Sequence, residues 1–138
     1  MARIQVVTAI TLDGFLPEPA GALVSWVRND RRGFPFWRER CSALILPHSI
    51  LDLLCEKDNR DDSFIYLAEI IEPESVELLR GLFLYDLVDE LMVYQLPFSA
   101  GQGISVLNTF RPQHWELHKT TSFSNGICRL IYRKSCKM

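Results

Sequence analysis

The sequence predicts an α/β domain, with a mixed central sheet flanked by helices and an antiparallel hairpin at its C-terminal end. Residues 87–96 are apolar at both odd and even positions, which is typical of a strand covered on both faces. Before them, strand-like and helix-like segments alternate, a pattern that favours a parallel sheet. After them, two half-apolar segments flank Asn125-Gly126, a dipeptide that favours a tight hairpin turn.

The composition is that of one globular domain spanning residues 1–138. Of these residues, 48% are hydrophobic and 23% are charged, and the formal net charge is -2. This charge provides no basic field to recruit nucleic acid or an anionic membrane, so we expect neither as a partner. The four cysteines form no C-x-x-C pair, which indicates reduced thiols and no metal site. The apolar run 4–10 lacks the length and flanks of a signal peptide or membrane span, so we expect a cytoplasmic protein.

The front half is predicted from local patterns. Residues 4–10 are rich in β-branched side chains and should form a strand, and Pro17, Pro19 and Gly21 favour a loop after it. The predicted elements, in chain order, are a strand over 4–10, two short helical pieces between 23 and 40, a strand over 42–46, one or two helical turns over 49–55, an exposed turn over 56–63 and a strand over 64–67.

A longer helix is predicted to begin at Pro73. Proline is favoured at the first helical position, and Glu74 lies in the first turn, where it complements the positive end of the helix dipole. Val76, Leu79 and Phe83 recur at helical spacing and give this helix a buried stripe.

The last two strands should form the hairpin. In the first, Trp115 and Leu117 alternate with polar side chains, as in a half-buried strand. In the second, apolar residues at 128, 130 and 132 alternate with Arg129 and Arg133, which should face solvent.

Three motifs occur in the order and spacing of one protein family. Residues 11–15 read T-L-D-G-F, with Trp26 downstream. Residues 87–91 read L-V-D-E-L and are followed by Pro97 and by Gly101-Gln102-Gly103. Residues 126–133 read G-I-C-R-L-I-Y-R. Together they resemble the dihydrofolate-reductase-like superfamily, in particular its branch containing the reductase domain of riboflavin biosynthesis.

The resemblance implies a homodimeric enzyme that uses NADPH to reduce a pteridine- or pyrimidine-like heterocycle. It places Asp13 at the substrate pocket as the catalytic candidate, where a carboxylate could accept hydrogen bonds from the heterocycle and help to protonate it. Gly14 and Trp26 are further substrate-binding candidates. Glycines after the central strand would let the backbone approach a dinucleotide closely. The cofactor-binding candidates are His48, Ser49, Gly101 and Gly103.

The sequence departs from the family's motifs on the cofactor side. Where the family carries a G-R-x-T turn, residues 47–50 read P-H-S-I, and Pro47 removes a backbone donor. Where the family has a Gly-Gly pair after its third strand, residues 66–69 read Y-L-A-E. The interval between these places is shorter than in the family, so at least one strand and one helix should be missing. These departures support a second hypothesis, a non-catalytic dimeric binding or scaffold protein that kept the fold and lost the cofactor site.

Each site candidate also has an ordinary structural explanation. Asp13-Gly14 after a strand is common turn chemistry, and His48 could be a loop residue with no role. The G-x-G at Gly101 and Gly103 is by itself weak evidence for a dinucleotide.

Other groups of residues are likewise open to two interpretations. Four aromatic side chains could line a planar ligand or pack in the core: Trp26, Phe34, Phe36 and Trp37. Asp89 and Glu90 are expected at the surface or at a dimer contact. His114 and His118 share one face of a strand, where an exposed polar face explains them better than a metal site. The arginines between residues 28 and 40 are interpreted as a solvated helix face.

Overall fold

The computed structural model describes residues 1–46 and 50–135. The expected cofactor contacts His48 and Ser49 lie outside the described residues, as do Pro47 and Cys136. The elements are β1 (Arg3–Ile10), α1 (Ala22–Asn29), α2 (Phe34–Arg38), β2 (Ala43–Leu44), α3 (Ile50–Glu56), β3 (Ile65–Ile70), α4 (Pro73–Leu84), β4 (Glu90–Gln95), β5 (Trp115–Ser122) and β6 (Cys128–Lys134). The predicted order of strands and helices is confirmed, and β3 continues beyond its predicted end at residue 67.

The strands form one six-stranded mixed sheet. Its order is β2-β3-β1-β4-β6-β5. The first four strands in this order run parallel, whereas β6 is antiparallel to both β4 and β5. The α/β fold class and the C-terminal hairpin are therefore confirmed. β4 lies inside the sheet and is buried on both faces over 90–94, which confirms the prediction from its apolar pattern.

Helices cover both faces of the sheet. On one face, Ile4 and Val6 of β1 share a core with Leu79 of α4. On the other face, Val7 of β1 packs in a second core with Val27 of α1. Alternate residues of one strand thus enter opposite cores, as the two-residue period of a strand requires. Among the described residues, no helix combines the length and the apolar character needed to cross a membrane.

The aromatic residues around α2 belong mainly to the second core. Phe34 and Trp37 are buried, and the Trp37 Nε1–H donates to the Tyr94 hydroxyl at 3.1 Å. The Tyr94 hydroxyl in turn donates to the Arg32 carbonyl at 2.5 Å. The core-packing interpretation is therefore confirmed for Phe34 and Trp37.

The hairpin differs from its predicted burial pattern at two positions. Arg129 was expected to face solvent, but it is only 8% exposed. Its guanidinium carbon lies 5.3 Å from the Phe36 ring centre and 5.7 Å from that of Phe123, so aromatic rings cover it. Leu117 was expected to be half-buried, but it is exposed because β5 is an edge strand.

Candidate functional site at the carboxyl edge of the sheet

The parallel strands β3, β1 and β4 all end at the same edge of the sheet. Open α/β sheets bind ligands at this carboxyl edge, because the loops after neighbouring strands meet there. Two of these loops carry the motifs predicted to be functional: residues 11–16 after β1 and residues 97–107 after β4. We therefore expect a ligand-binding site at the carboxyl edge.

Backbone hydrogen bonds join these two loops. The Leu12 N–H donates to the Phe98 carbonyl, and the Leu16 N–H donates to the Ile104 carbonyl, each at 2.8 Å. In the opposite direction, the Val106 N–H donates to the Gly14 carbonyl at 3.0 Å. The two loops thus form one interlocked unit, and a change in either should move the other.

The Asp13 carboxylate ties the loops together. Its Oδ1 accepts from the Thr11 hydroxyl at 2.6 Å and from the Ala100 N–H at 2.9 Å, and its Oδ2 accepts from the Gly101 N–H at 2.7 Å. These bonds, that of Thr11 first, lower the pKa of Asp13 from 3.8 to about 2. At neutral pH, Asp13 is therefore an ionised acceptor with no proton to donate.

Gly14 is required by the geometry of this junction. Its φ is +85°, a conformation that residues with a side chain rarely adopt. A Cβ at this position would lie 2.3 Å from Leu107 Cδ1, in the facing loop. Glycine therefore allows the turn after β1 to approach the loop after β4.

A cleft of about 410 Å³ opens beside the interlocked loops. We call it the carboxyl-edge cleft, and its walls are residues 16–19 after β1, 71–73 after β3, 103–104 after β4, and Arg28 of α1. Its volume lies within the range of small-molecule sites. Gly103 is the sequence-predicted candidate that lines it.

One ion pair crosses this cleft. Arg28 Nη2 donates to Glu72 Oε1 at 3.3 Å, and the two side chains are 35% and 60% exposed. Arg28 Nε is buried and has no hydrogen-bond partner among the described residues, so the pair is not bidentate. The third charged residue of the cleft, Glu18, adds a second carboxylate. The cleft is therefore lined by two negative groups and one positive group.

The N-terminus of α4 borders the cleft, and its backbone donors are largely used. The N–H groups of Ile71 and Glu72 both donate to Ser75 Oγ at 3.0 Å. The N–H groups of Ser75 and Val76 donate to the Glu72 carbonyl at 3.0 and 3.2 Å. Pro73, at the first position of the helix, has no N–H. This end of α4 is thus already capped by the protein itself.

Comparison with solved structures identifies this fold. A Shewanella sp. PV-4 protein assigned to riboflavin biosynthesis is 16% identical, with a TM-score of 0.53 over 96% of this chain and 99% of that one. The Thermotoga maritima diaminohydroxyphosphoribosylaminopyrimidine deaminase/5-amino-6-(5-phosphoribosylamino)uracil reductase is 14% identical, with a TM-score of 0.65 over 96% of this chain and 56% of that one. The riboflavin biosynthesis reductase of Saccharomyces cerevisiae is 10% identical, with a TM-score of 0.52 over 96% and 88% of the two chains.

The chain has the fold of the riboflavin-biosynthesis reductases. At identities of 10–16%, the likeness concerns the fold and not the chemistry. No protein-family model matches the sequence, and no curated protein matches it.

Compared with the riboflavin-biosynthesis reductases, the end of β3 does not fit a dinucleotide. The sequence suggested that residues 66–69 stand where the family has its Gly-Gly pair, but these residues lie inside β3, and Ala68 is buried. The residues that follow β3 are Ile71, Glu72 and Pro73, which include no glycine. A phosphate here would face the Glu72 carboxylate, with few free backbone donors. NADPH therefore does not fit at this end of α4.

Of the other predicted site residues, Gly103 lines the cleft, whereas Gly101 and Trp26 do not. Gly101 and Gly103 lie in the loop after β4 with φ of +77° and +129°, and the Gly101 N–H is used by Asp13. Trp26 is not among the residues that line the cleft; its ring lies 4.9 Å from that of Phe123. Two residues further along α1, Arg28 points to a different side of the helix and reaches the cleft.

Asp89 and Glu90 of the L-V-D-E-L motif lie at the opposite, amino edge of β4. Glu90 is buried, so the first of its two expected positions, the surface, is wrong, and the dimer contact stays a prediction. Its carboxylate accepts from Arg3 at 3.2 Å and from Arg133 at 3.4 Å. Asp89 accepts from the Ile4 N–H at 2.8 Å, and burial raises its pKa. Both carboxylates therefore bind β4 to its neighbours in the sheet, away from the cleft.

Sequence reasoning missed Arg28 and Glu72. In the sequence, Arg28 is one of several arginines between residues 28 and 40 that indicate a solvated helix face, and Glu72 is marked only by its position before Pro73. Their pairing joins residues 44 positions apart. This pairing depends on the positions of α1 and α4 on opposite faces of the sheet. Local sequence patterns do not predict those positions.

Proposed function

We propose that this chain is a non-catalytic binding protein that holds a pteridine- or pyrimidine-like heterocycle in the carboxyl-edge cleft. The observation that carries this proposal is the cleft itself, which lies where sheets of this kind bind ligands. Its walls are mostly apolar, with Leu16, Pro17, Ile71 and Ile104 among them. Walls of this kind suit the faces of a flat ring system.

The Arg28–Glu72 pair supplies polar groups for the edge of such a ring. Heterocycles of these classes carry N–H donors beside ring nitrogen or carbonyl acceptors. The exposed Glu72 carboxylate can accept from the donors, while the Arg28 guanidinium can donate to the acceptors. A few convergent polar groups in an apolar cleft are what orients a small ligand.

A second candidate function is NADPH-dependent reduction of the same heterocycle. It is supported by solved structures of the same fold whose names are those of reductases, and by the presence of Asp13, Gly101 and Gly103 in the loops after β1 and β4. In this case NADPH would depend on Gly103, on His48 and Ser49, or on a partner chain, because the end of α4 does not fit its phosphates. The capped end of α4 is the reason for preferring the binding protein.

Isothermal titration separates the two functions. We expect aminopyrimidines or dihydropteridines to bind with micromolar affinity and NADPH to give no heat, with NADH as the control dinucleotide. Micromolar binding of NADPH would favour the reductase, and a complete lack of heterocycle binding would remove both candidates.

A matched pair of variants in one loop tests the location of the site. Ile104 lines the cleft and is 43% exposed, whereas Phe98 lies in the same loop, outside the cleft lining, and is 40% exposed. We expect Ile104→Glu to abolish heterocycle binding because it adds a carboxylate to an apolar wall. Phe98→Glu should bind like the parent. Equal effects of the two variants would place the ligand elsewhere.

We also propose that the chain forms a homodimer through a second, apolar groove. This groove of about 320 Å³ lies on the sheet face beside β4 and β6. Residues that line it include Leu12, Leu91, Val93, Leu107, Leu130 and Tyr132. An apolar groove with exposed leucines is a surface that a second copy could cover.

The dimer is tested with two leucines of equal exposure. Leu12 lines the groove and Leu84 lies at the end of α4, and each is 56% exposed. By light scattering, we expect a dimer for the parent and for Leu84→Glu, and a monomer for Leu12→Glu. A monomeric parent at micromolar concentration would contradict the proposal.

A further inference from the structure

The charges of the carboxyl-edge cleft point to the class of ligand that it accepts. We infer that the Arg28–Glu72 pair is a specificity determinant that makes the cleft reject phosphate-bearing ligands and accept uncharged heterocycles. This inference rests on the proposed binding function. It narrows the expected ligand from any pteridine- or pyrimidine-like ring to one without a phosphate.

Electrostatics is the first reason. Arg28 is the basic residue of the cleft lining, and its Nη2 is 3.3 Å from Glu72 Oε1. The pair is close to neutral as a unit, and Glu18 leaves the lining with a net negative charge. Both carboxylates are exposed, and they repel a phosphate that comes close to them, more strongly at low salt than at high salt. A phosphate entering the cleft thus meets repulsion where a phosphate site would provide attraction.

The shortage of backbone donors is the second reason. Helix N-termini bind phosphate through free N–H groups. At α4, the Ile71 and Glu72 N–H groups are taken by Ser75 Oγ, and Pro73 has none. The hydroxyl oxygen of Ser75 thus accepts from the two N–H groups that an external anion would otherwise use. An uncharged ring edge needs no such donors, because one carboxylate and one guanidinium match its donor and acceptor atoms.

The geometry of the pair leaves it able to engage a ligand. A single hydrogen bond joins Arg28 to Glu72, and Arg28 Nε lacks a partner among the described residues. A bidentate pair would have used both guanidinium donors of that edge. Because Nε is buried, a ring edge would meet the Nη groups of Arg28 and the exposed Glu72 carboxylate, whose single mutual bond leaves them further donor and acceptor sites.

The test compares ligands that differ by one phosphate. The probes are riboflavin with riboflavin 5′-phosphate and cytidine with cytidine 5′-monophosphate, titrated into the parent protein, Glu72→Gln and the control Glu74→Gln. Glu74 is exposed in the same first turn of α4 and is not part of the cleft lining. In the parent, we expect the unphosphorylated member of a pair to bind about tenfold more tightly or better.

Glu72→Gln should raise the affinity for the phosphorylated member about tenfold, and raised salt should shrink this gain. Glu74→Gln should leave the ratio unchanged. If both members of a pair bind the parent equally, or if Glu74→Gln acts like Glu72→Gln, the inference fails while the binding function stands. If no probe of either pair binds the parent or Glu72→Gln, the inference fails together with the proposed function for these rings.

Discussion

Replacing Gly33 with alanine is expected to lower the free energy of unfolding by about 3 kcal/mol, because the new methyl group has no room. A Cβ on Gly33 would lie 2.2 Å from the Val27 carbonyl oxygen and 2.9 Å from the Val27 carbonyl carbon. These are backbone atoms of α1, so relief requires α1 to move away from α2. That motion would disturb the core around Val27, which is fully buried. Urea denaturation followed by circular dichroism measures the change.

Gly81→Ala is the matched control for Gly33→Ala. Its Cβ would lie 2.3 Å from Ile50 Cδ1, the tip of a flexible side chain that can rotate away. Gly81 lies inside α4, where alanine is favoured over glycine by about 1 kcal/mol. We therefore expect Gly81→Ala to be close to neutral or slightly stabilising. A Gly33→Ala cost no larger than that of Gly81→Ala would contradict the close contact of α1 and α2.

The sheet was predictable where a strand's own pattern determines its burial. β1 is rich in β-branched residues, which indicates a strand, and β4 is apolar on both faces, which indicates a strand covered on both sides. The end of β3 was not predictable in this way, because Glu69 looks like the start of a loop. In the structure, Glu69 accepts two hydrogen bonds from Arg38, at 2.8 and 3.1 Å, and the strand continues. That partner lies 31 residues away and depends on the position of α2.

The burial of Arg129 likewise depends on contacts that the pattern of its own strand does not show. A period of two places Arg129 on the outer face of a half-buried strand. That face is in fact covered by Phe36 and Trp37 of α2 and by Phe123 of the hairpin turn. The guanidinium of Arg129 packs against their rings. Sequence reasoning assigns solvent to a charged residue by default. It fails here because the aromatic side chains of α2 and of the hairpin turn together provide a favourable site for the charge.

The sequence predicts the loops of the candidate site but not its ion pair. The motif around Asp13 and the glycines at 101 and 103 follow strands that are adjacent in the sheet, so placing those strands brings the loops together. Arg28 and Glu72 come from a helix and a helix start on opposite faces of the sheet, and their meeting depends on the rotation of each helix about its axis. This angle follows from packing and not from spacing in the sequence.

Asp13→Asn is expected to have a large effect on the order of the loop after β4, because Asp13 holds two of its backbone N–H groups. Asparagine replaces one acceptor oxygen with an NH₂ donor, so the Ala100 and Gly101 N–H groups can no longer both find an acceptor there. The loop that carries Gly103 should become mobile. We expect hydrogen exchange at Ala100 and Gly101 to accelerate by roughly tenfold or more. Heterocycle binding should weaken roughly tenfold, because the cleft wall is no longer preorganised.

Asp30→Asn is the control, since Asp30 is another carboxylate whose hydrogen bonds lower its pKa to about 2. Asp30 pairs with Arg32 in the loop after α1, so its replacement should leave exchange at Ala100 and Gly101 unchanged. Equal exchange in Asp13→Asn and the parent would contradict the role of Asp13 in joining the loops.

The pH dependence distinguishes a structural from a catalytic Asp13. Because folding lowers its pKa, the stability that Asp13 contributes is complete above its ordinary value of 3.8 and is lost as the pH falls through about 2. Heterocycle affinity should therefore show no titration of Asp13 between about pH 5 and pH 8. A group that donates a proton to the ligand in that range would instead titrate within it. A step in the parent's affinity that disappears in Asp13→Asn would restore Asp13 as the proton donor of a reductase, whereas a flat profile leaves it as the carboxylate that holds the cleft in shape.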